Sequence, residues 1–582
     1  MQKQGLDHQE IEWQFDAPDL RLVESWLGER TSAFGLAVEP AGMRQLTDTY
    51  YDTEDWRFYR AGYALRVRRA GKSVEATMKA LAPPEDDGLK RRREISEPLR
   101  SGGVKSLTTA RGPVGERLRL LAGAHDLCPL FEVRTRRTAF ELRPHGDELE
   151  GEEPDGLAGE VVVGPAGDIR RRGVSPENGS VSAEEVAVDA LGGIHRREGE
   201  GSEDGAVLAE LSLDESEFSG GGTEVHLSRI EVEIIGAGAY DRVAGFVDGL
   251  RSSLGLRPTR SSKFETGLSA AGLEPAVAPD LGPTEVDGSM SASEVAFAIL
   301  RCHFAAMLAH EPGVRLGEDP EELHDMRVAT RRLRAALKLY VEVLPRRAER
   351  YERDLRFFAS ALGGVRDLDV HLERLAAEAS GAGEVPDEVF ATLDERRAVA
   401  RRRMLDVLDS DRYERFVATF SGTLRRGRSP VPAGPIIEIA PDLVRNRYKK
   451  VRKDVRTLTK DSPPEDFHDL RKKCKRLRYA LEPLRGIYGK PADKMVDLLK
   501  AVQDDLGDNQ DLIVATELMR GLGVSGDLPP RVAFSLGAMA ERYAREAAEI
   551  RAGFLESRSL RVLAGGKPWK KLRKTMQKKA GG

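Results

Sequence analysis

The chain has 582 residues, 40% hydrophobic and 32% charged, with a formal net charge of −5; that is long enough for two or more domains, each with its own core. The small net charge hides an asymmetry: residues 1–290 hold about 35 basic and 52 acidic side chains, residues 291–582 about 56 and 44, and a basic half of this kind attracts polyanions with a salt-sensitive affinity. The cysteines Cys128, Cys302 and Cys474 are too scattered for a disulfide framework or a metal knuckle, and no uninterrupted apolar stretch reaches membrane-spanning length.

The start, Met1-Gln2-Lys3-Gln4-Gly5, leads into no apolar run, so no signal peptide is expected and a cytoplasmic setting fits. Residues 6–145 alternate polar and apolar in short runs broken by Gly and Pro, which predicts strands. Clear cases are 10–15, 64–68 and 74–79, with more strands near 208–213 and 228–235. Helices are expected at 19–27 and 239–253. Between about 146 and 206 the chain turns acidic and Gly-rich, which reads as an insertion that is mostly loop, with a short strand near 160–163.

Residues 271–288 read as a linker. Beyond them the pattern changes to helical periods, predicting helices at 292–308, 320–344, 347–362, 367–378, 386–409, 412–424, 441–459, 464–488, 490–506, 511–522 and 530–558. Residues 566–582 are expected as a basic, unstructured tail. The fold class is thus multidomain α+β: an antiparallel β tunnel or barrel with flanking helices at residues 6–270, then an all-α duplicated bundle at residues 289–565.

The duplication is explicit. Leu323-His324-Asp325-Met326-Arg327 through Arg334 returns 144 positions later as Phe467-His468-Asp469-Leu470-Arg471 through Arg478. Leu362-Gly363 and Asp367-Leu368 return at the same offset as Leu506-Gly507 and Asp511-Leu512. On a helical wheel Arg327, Arg331, Arg334 and Lys338 fall beside His324 within roughly 80°, with Met326, Leu333, Ala336, Leu337 and Tyr340 on the far side. The second copy repeats the pattern with His468, Arg471, Lys475 and Arg478. Like charges at these spacings repel by a few tenths of a kcal/mol per pair. A solvated face accounts for one such run, but arranging the repulsion twice points to an anionic ligand.

The segment His-Asp-Met-Arg-Val-Ala-Thr-Arg-Arg-Leu-Arg resembles the signature of CHAD domains, conserved-histidine α-helical domains. The resemblance implies two similar helical bundles facing one another around a basic channel that binds inorganic polyphosphate. It places polyanion contacts on Arg327, Arg331, Arg334, Lys338, Arg471, Lys475 and Arg478, with His324 and His468 beside them. Further candidates are Arg332, Lys472, Arg476, Arg445, Lys449 and Arg452. Charge-assisted contacts from Arg and Lys to phosphate oxygens suit that ligand. Nucleic acid is less favoured because the cationic faces lack interleaved aromatics.

In the acidic half, residues at i and i+2 of a strand share a face. Glu10, Glu12 and Gln14 share one, as do Arg66 and Arg68, Thr77 and Lys79, Arg134 and Arg136, and Glu231 and Glu233. In a closed barrel such pairs can point inwards, and a lumen of mixed sign suits a triphosphate with a divalent cation. In order, Glu10-Ile11-Glu12, Tyr51-Asp52-Thr53, Leu65-Arg66-Val67-Arg68, Thr77-Met78-Lys79, Arg93-Glu94, Arg136-Arg137, Asp214, Glu231-Val232-Glu233 and Ser262-Lys263 resemble the CYTH or triphosphate tunnel metalloenzyme family.

That resemblance implies an eight-stranded tunnel hydrolysing triphosphates, here tripolyphosphate, with Mg²⁺ or Mn²⁺. Glu10, Glu12, Asp214, Glu231 and Glu233 would hold metal. Arg66, Arg68, Lys79, Arg93, Arg136 and Lys263 would hold phosphates, with Glu10, Glu12, Arg66, Arg68 and Lys79 the catalytic set. The family's opening Glu-x-Glu-x-Lys here ends in Gln14. Loss of one charge-assisted contact costs about 1.5–3 kcal/mol, or about ten- to hundredfold in turnover if it acts in the transition state. A non-catalytic polyphosphate-binding scaffold is therefore the alternative. The expected setting is the cytoplasm, with polyphosphate granules.

Overall fold

A computed structural model describes residues 6–29, 34–81, 87–145, 161–163, 169–171, 206–219, 225–236, 238–380 and 385–581. Apart from residue 206 and a small hairpin pairing Val161–Val163 with Ile169–Arg171, the acidic insertion expected at 146–206 lies outside them.

Eight long strands form one antiparallel sheet: β1 (Leu6–Asp16), β2 (Leu36–Thr53), β3 (Tyr63–Ala70), β4 (Ser73–Ala80), β5 (Leu89–Pro98), β6 (Leu127–Pro144), β7 (Ala209–Ser219) and β8 (Val225–Ile234). Their order is β8-β7-β6-β2-β3-β4-β5-β1, and β1 pairs back onto β8, so the sheet closes into a barrel. The helices around it are α1 (Leu20–Glu29), α2 (Arg57–Arg60), α3 (Val104–Thr108), α4 (Pro113–Ala122), α5 (Tyr240–Leu254) and α6 (Lys263–Ala270).

The barrel is polar inside and apolar outside. On β1, Trp13 and Phe15 point outwards and join Val23 and Trp26 of α1 and Val243 and Phe246 of α5 in one core. On the opposite wall, Leu65, Val67, Met78 and Ile95 pack against Val114, Leu118 and Leu121 of α4. Strict alternation then drives Glu10, Glu12 and Gln14 inwards, where they are at most 4% exposed. The helices thus bury the hydrophobic face that an ordinary small barrel would bury in its own interior.

The second half is helical throughout: α7 (Ala292–Leu316), α8 (Pro320–Leu339), α9 (Ala348–Ser380), α10 (Asp387–Leu408), α11 (Asp411–Arg426), α12 (Ile436–Thr457), α13 (Pro464–Leu481), α14 (Arg485–Tyr488), α15 (Lys490–Asp505), α16 (Gly507–Val524), α17 (Pro530–Leu555), α18 (Arg558–Gly565) and α19 (Lys567–Ala580). Its main core draws side chains from both copies of the duplication, so the copies are not separate folding units. Among the described residues α7 alone has the length and hydropathy to cross a bilayer. It packs as the central core helix, opening on a capping box between Ser291 and Glu294.

Two expectations are corrected. The helices predicted at 347–362 and 367–378 are one helix, α9, which runs through Gly363-Gly364 because packing on both flanks outweighs the weak helix propensity of glycine. The basic tail is a helix, α19, anchored by buried Trp569, Leu572 and Met576. Trp569 stacks on Tyr448 of α12 with ring centroids 4.1 Å apart.

The halves meet through α2 and α4 against α7. Glu311 of α7, 1% exposed, accepts from Arg57 of α2 at 3.3 Å, Arg315 at 2.8 Å and the Tyr413 hydroxyl at 2.9 Å. Glu318 receives Arg93 at 2.8 Å, Arg117 at 3.1 Å and the Tyr63 hydroxyl at 2.6 Å.

Candidate functional sites: a charged lumen and a cationic cavity

The barrel lumen holds about 130 Å³ of open space among Glu10, Glu12, Gln14, Arg66, Arg68, Lys79, Arg92, Glu94, Arg137, Glu231, Glu233 and Lys263. It is narrow because opposite charges are drawn together. Lys79 bridges Glu10 at 2.6 Å and Glu94 at 2.5 Å. Arg92 pairs with Glu10 at 2.9 Å and also with Glu12. Arg137 pairs with Asp214 at 2.7 Å and Glu231 at 2.6 Å, and Lys263 reaches the same two carboxylates. Arg68 pairs with Asp48 at 2.8 Å and Arg66 lies 3.7 Å from it.

The register explains which arginines arrive. Glu10 lies opposite Arg92 and Glu12 opposite Lys90 on β5, and Asp214 lies opposite Arg137 on β6. Arg92 and Arg137 have side chains 10% and 12% exposed, whereas Arg93 and Arg136 are 38% and 53% exposed. Arg93 and Arg136, expected as phosphate ligands, therefore face outwards, towards Asp7 and Glu318 and towards Glu215. The Arg134/Arg136 pair lies on the outer wall. In the runs Arg91-Arg92-Arg93 and Arg136-Arg137 every residue has the right chemistry, so residue type could not choose the parity; counting inwards from Glu10 through the cross-strand register does.

Gln14 is held by Lys90, whose Nζ donates to the Gln14 side-chain oxygen at 2.7 Å. The Gln14 amide in turn donates to Glu12 at 2.8 Å and Glu231 at 3.4 Å. Lys90 is 2% exposed and makes no ion pair among the described residues, and burial followed by Arg92 pushes its pKa down to about 8. A second cation, unforeseen in the sequence, thus stands behind the position where the family pattern has lysine.

Burial would raise the Glu10 carboxyl, but Lys79 and Arg92 overcome it and hold the group well below the usual range. Glu231 is likewise held down by Lys263 and Arg137. Glu12 is raised by burial, with Arg92 opposing and Glu10 adding to the rise. Glu233, opposite Glu12, has no ion-pair partner among the described residues, and burial with Glu10 beside it pushes it up to about 7. Among the described residues no three His, Cys, Asp or Glu side chains form a compact metal-ligating group. Glu10, Glu12 and Glu233 lie close enough to repel one another, and their hard oxygen donors are of the kind Mg²⁺ takes. Asp214 is fully buried against Lys263 and Arg137, and Glu231 shares both cations. Asp52 is structural: it accepts the backbone N–H groups of Thr53, Phe58 and Tyr59 and fixes the turn at α2.

The helical half contains a cavity of about 850 Å³ between the C-terminal halves of α8 and α13. Arg331, Arg334 and Lys338 line it from the first copy and Lys475 from the second, with Arg332, Lys472 and Arg476 beside them. Arg447, Arg485, Lys500 and His303, not expected from the duplicated motif, add to the lining. Burial and then Arg471 and Arg331 push the Lys475 ammonium down to about 7. Burial and Arg332 push His303 down to about 4.

His324, Arg327, His468, Arg471 and Arg478 lie outside the cavity lining. The first four continue the same faces at the N-terminal halves of α8 and α13. Arg327 pairs with Asp367 at 3.0 Å, and Arg471 bonds the backbone oxygen of Gln503 at 3.3 Å. Here the second repeated motif finds its reason. A Cβ at Gly363 would collide with the Arg327 guanidinium, and one at Gly507 would touch Arg471 at 3.6 Å. The Leu-Gly pairs leave room for an arginine to cross α9 and α16. Arg478 instead pairs with Glu482 at 3.3 Å and covers the Tyr479 ring.

A closed antiparallel tunnel with a charged interior, joined to a duplicated helical bundle with a cationic cavity, defines the class of protein. The chain carries a CYTH domain, matched at residues 28–178, and a CHAD domain, matched at residues 298–520. Strands β1, β7 and β8 lie beyond the CYTH match yet complete the same barrel. The chain is 22% identical over 555 residues to an uncharacterized protein of Mycobacterium tuberculosis, covering 92% of this chain and 93% of that one. Among solved structures it is similar to the CHAD domain from the plant Ricinus communis, with 28% identity, TM-score 0.42, and 48% of this chain and 98% of that chain covered. It is also similar to PptA from Streptomyces chartreusis, with 19% identity, TM-score 0.36, and 46% and 98% covered.

Proposed function

We propose that the helical half binds inorganic polyphosphate and that the tunnel binds and hydrolyses a triphosphate end, with tripolyphosphate as the small substrate. The observation that carries this reading is the meeting of two copies of one cationic face at a single cavity, in a chain whose other half encloses a second phosphate-suited lumen. Polyphosphate is favoured over nucleic acid by the cavity's one tyrosine on α13. Tyr479 is engaged by Arg331 at 3.0 Å and flanked by Arg332 and Arg478, so its ring is not free to stack a base.

In the tunnel, Arg66, Arg68, Lys79, Arg92, Arg137 and Lys263 would grip the phosphates, exchanging protein carboxylates for phosphate oxygens. Glu10 and Glu12 would hold the Mg²⁺ or Mn²⁺, which when bound neutralises developing charge on the phosphates. Water attacks the terminal phosphorus, the bridging P–O bond breaks and pyrophosphate leaves. Glu233, a lumen carboxylate without a cation partner among the described residues, is placed to take the water's proton. The protein would work in the cytoplasm alongside polyphosphate.

Phosphate release from tripolyphosphate with Mg²⁺ or Mn²⁺ tests the tunnel. No release above background, and none lost on Glu10→Gln, would leave binding without turnover. That second reading is favoured by one feature: most lumen carboxylates are already neutralised by protein cations. A salt series of long-chain polyphosphate binding tests the cavity, where unchanged affinity on reversing Arg331 and Lys475 to Glu would refute it.

A further inference from the structure

A second cationic surface lies on the outside of the helical half, away from the cavity. Helix α12 forms a wall between the two. Arg447 lines the cavity and Asp454 pairs with Lys473 of α13, so this flank faces the duplicated helices. Arg445, Lys449, Arg452 and Arg456 are exposed and fall within an arc of about 60° on the opposite flank. Three of these four follow from the positions 445, 449 and 452 expected above as polyanion contacts; the structure moves them from the channel to the exterior.

Helix α19 lies against α12 through the Trp569–Tyr448 stack. Its outer face carries Lys567, Lys570, Lys571, Lys574 and Lys578, all exposed and within about 100° of arc. The helix contains no acidic residue. Among the described residues, none of the four cations on α12 or the five on α19 makes an ion pair. A surface shaped only for solubility mixes signs, and like charges at these spacings weaken a helix.

The chemistry of the face narrows the occupant. Its apolar residues, Trp569, Leu572 and Met576, are buried beneath it, leaving no wedge for a bilayer and no ring for a base. Lysines dominate α19, and a lysine ammonium is a mobile point charge that follows any line of phosphates without selecting a shape. Resting on the polyphosphate reading of the cavity, we propose that α12 and α19 form an outer track for the same polymer. A long chain leaving the cavity past Arg447 crosses α12 and lies along α19, so long chains bind more tightly than the cavity alone allows.

The test compares the full chain with two variants. One is Lys570→Gln, Lys571→Gln and Lys574→Gln together, at exposed positions where the fold does not depend on charge. The other is Arg331→Glu with Lys475→Glu in the cavity. Binding of short-chain and long-chain polyphosphate is measured across a salt series. The outer variant should lose roughly tenfold in long-chain affinity and about two units of salt slope, with short-chain affinity unchanged. The cavity variant should lose both.

Unchanged long-chain affinity and slope in the outer variant would overturn the track. So would a phosphatidylserine vesicle or duplex DNA that loses binding in this variant while long-chain polyphosphate does not. If wild type binds only long chains, and only the outer variant weakens them, the cavity reading fails and the track stands.

Discussion

Lys90 approaches the Gln14 side-chain oxygen to 2.7 Å and pairs with no carboxylate among the described residues. Gln14 is thus the neutral link between a buried cation and the acidic pair Glu12 and Glu231. From the sequence alone, Gln14→Lys would restore a missing cation. In the structure it sets two ammonium groups against each other. Gln14→Lys should lower stability by about 2–3 kcal/mol, as burying an unpaired charge does. It should also weaken tripolyphosphate binding, whereas Gln14→Lys with Lys90→Gln should recover both. Thermal unfolding and titration calorimetry on the single and double variants check this.

Adjacent arginines should behave oppositely. Arg92→Ala removes a lumen cation and should weaken tripolyphosphate binding about ten- to hundredfold, corresponding to a charge-assisted contact of about 1.5–3 kcal/mol. Arg93→Ala should leave that affinity within about twofold, because its guanidinium faces Asp7 and Glu318 outside the barrel. Calorimetric titration of both variants decides, and equal losses would reject the parity assigned to β5.

Lys475 gives the cavity a pH dependence. Its pKa is lowered to about 7 in the free protein, and a bound polyanion raises it by favouring the charged form. Binding should take up a proton above pH 7, and affinity should fall as pH rises through the free-state value towards the bound one. Calorimetry in buffers of different ionisation enthalpy measures the uptake, which Lys475→Gln should abolish.

Glu311 should be costly to neutralise. Glu311→Gln removes the buried counter-charge shared by Arg57 and Arg315, which keep only the more exposed Asp55 and Asp409, so a loss of about 1.5–3 kcal/mol is expected. Urea unfolding followed by a signal from each half should show both destabilised, since Arg57 belongs to the barrel and Arg315 to the bundle.

Much of this architecture was legible because period is written locally. The Glu10-Ile11-Glu12-Trp13 alternation shows a strand, and Met326, Leu333 and Leu337 mark the buried side of α8 as expected. What was not legible depends on partners distant in sequence. Arg92 and Arg93 differ only in their position relative to Glu10, which the β1–β5 register fixes. Lys90 could not be tied to Gln14 without the same register. Gly363 looked like a helix break, and its role is visible only when Arg327 crosses it. The α19 tail looked unstructured because its three buried residues sit among a run of cations, and their meaning lies in Tyr448 more than a hundred positions earlier.

The buried Arg57–Glu311 contact has an evolutionary corollary. Two domains that merely share a chain can be reshuffled and swapped between proteins like beads. These two share a buried ion pair, so substitution at residue 57 should be tolerated in descendants mainly where residue 311 has changed with it. A barrel grafted from another protein would then need its own cation at the position that faces Glu311.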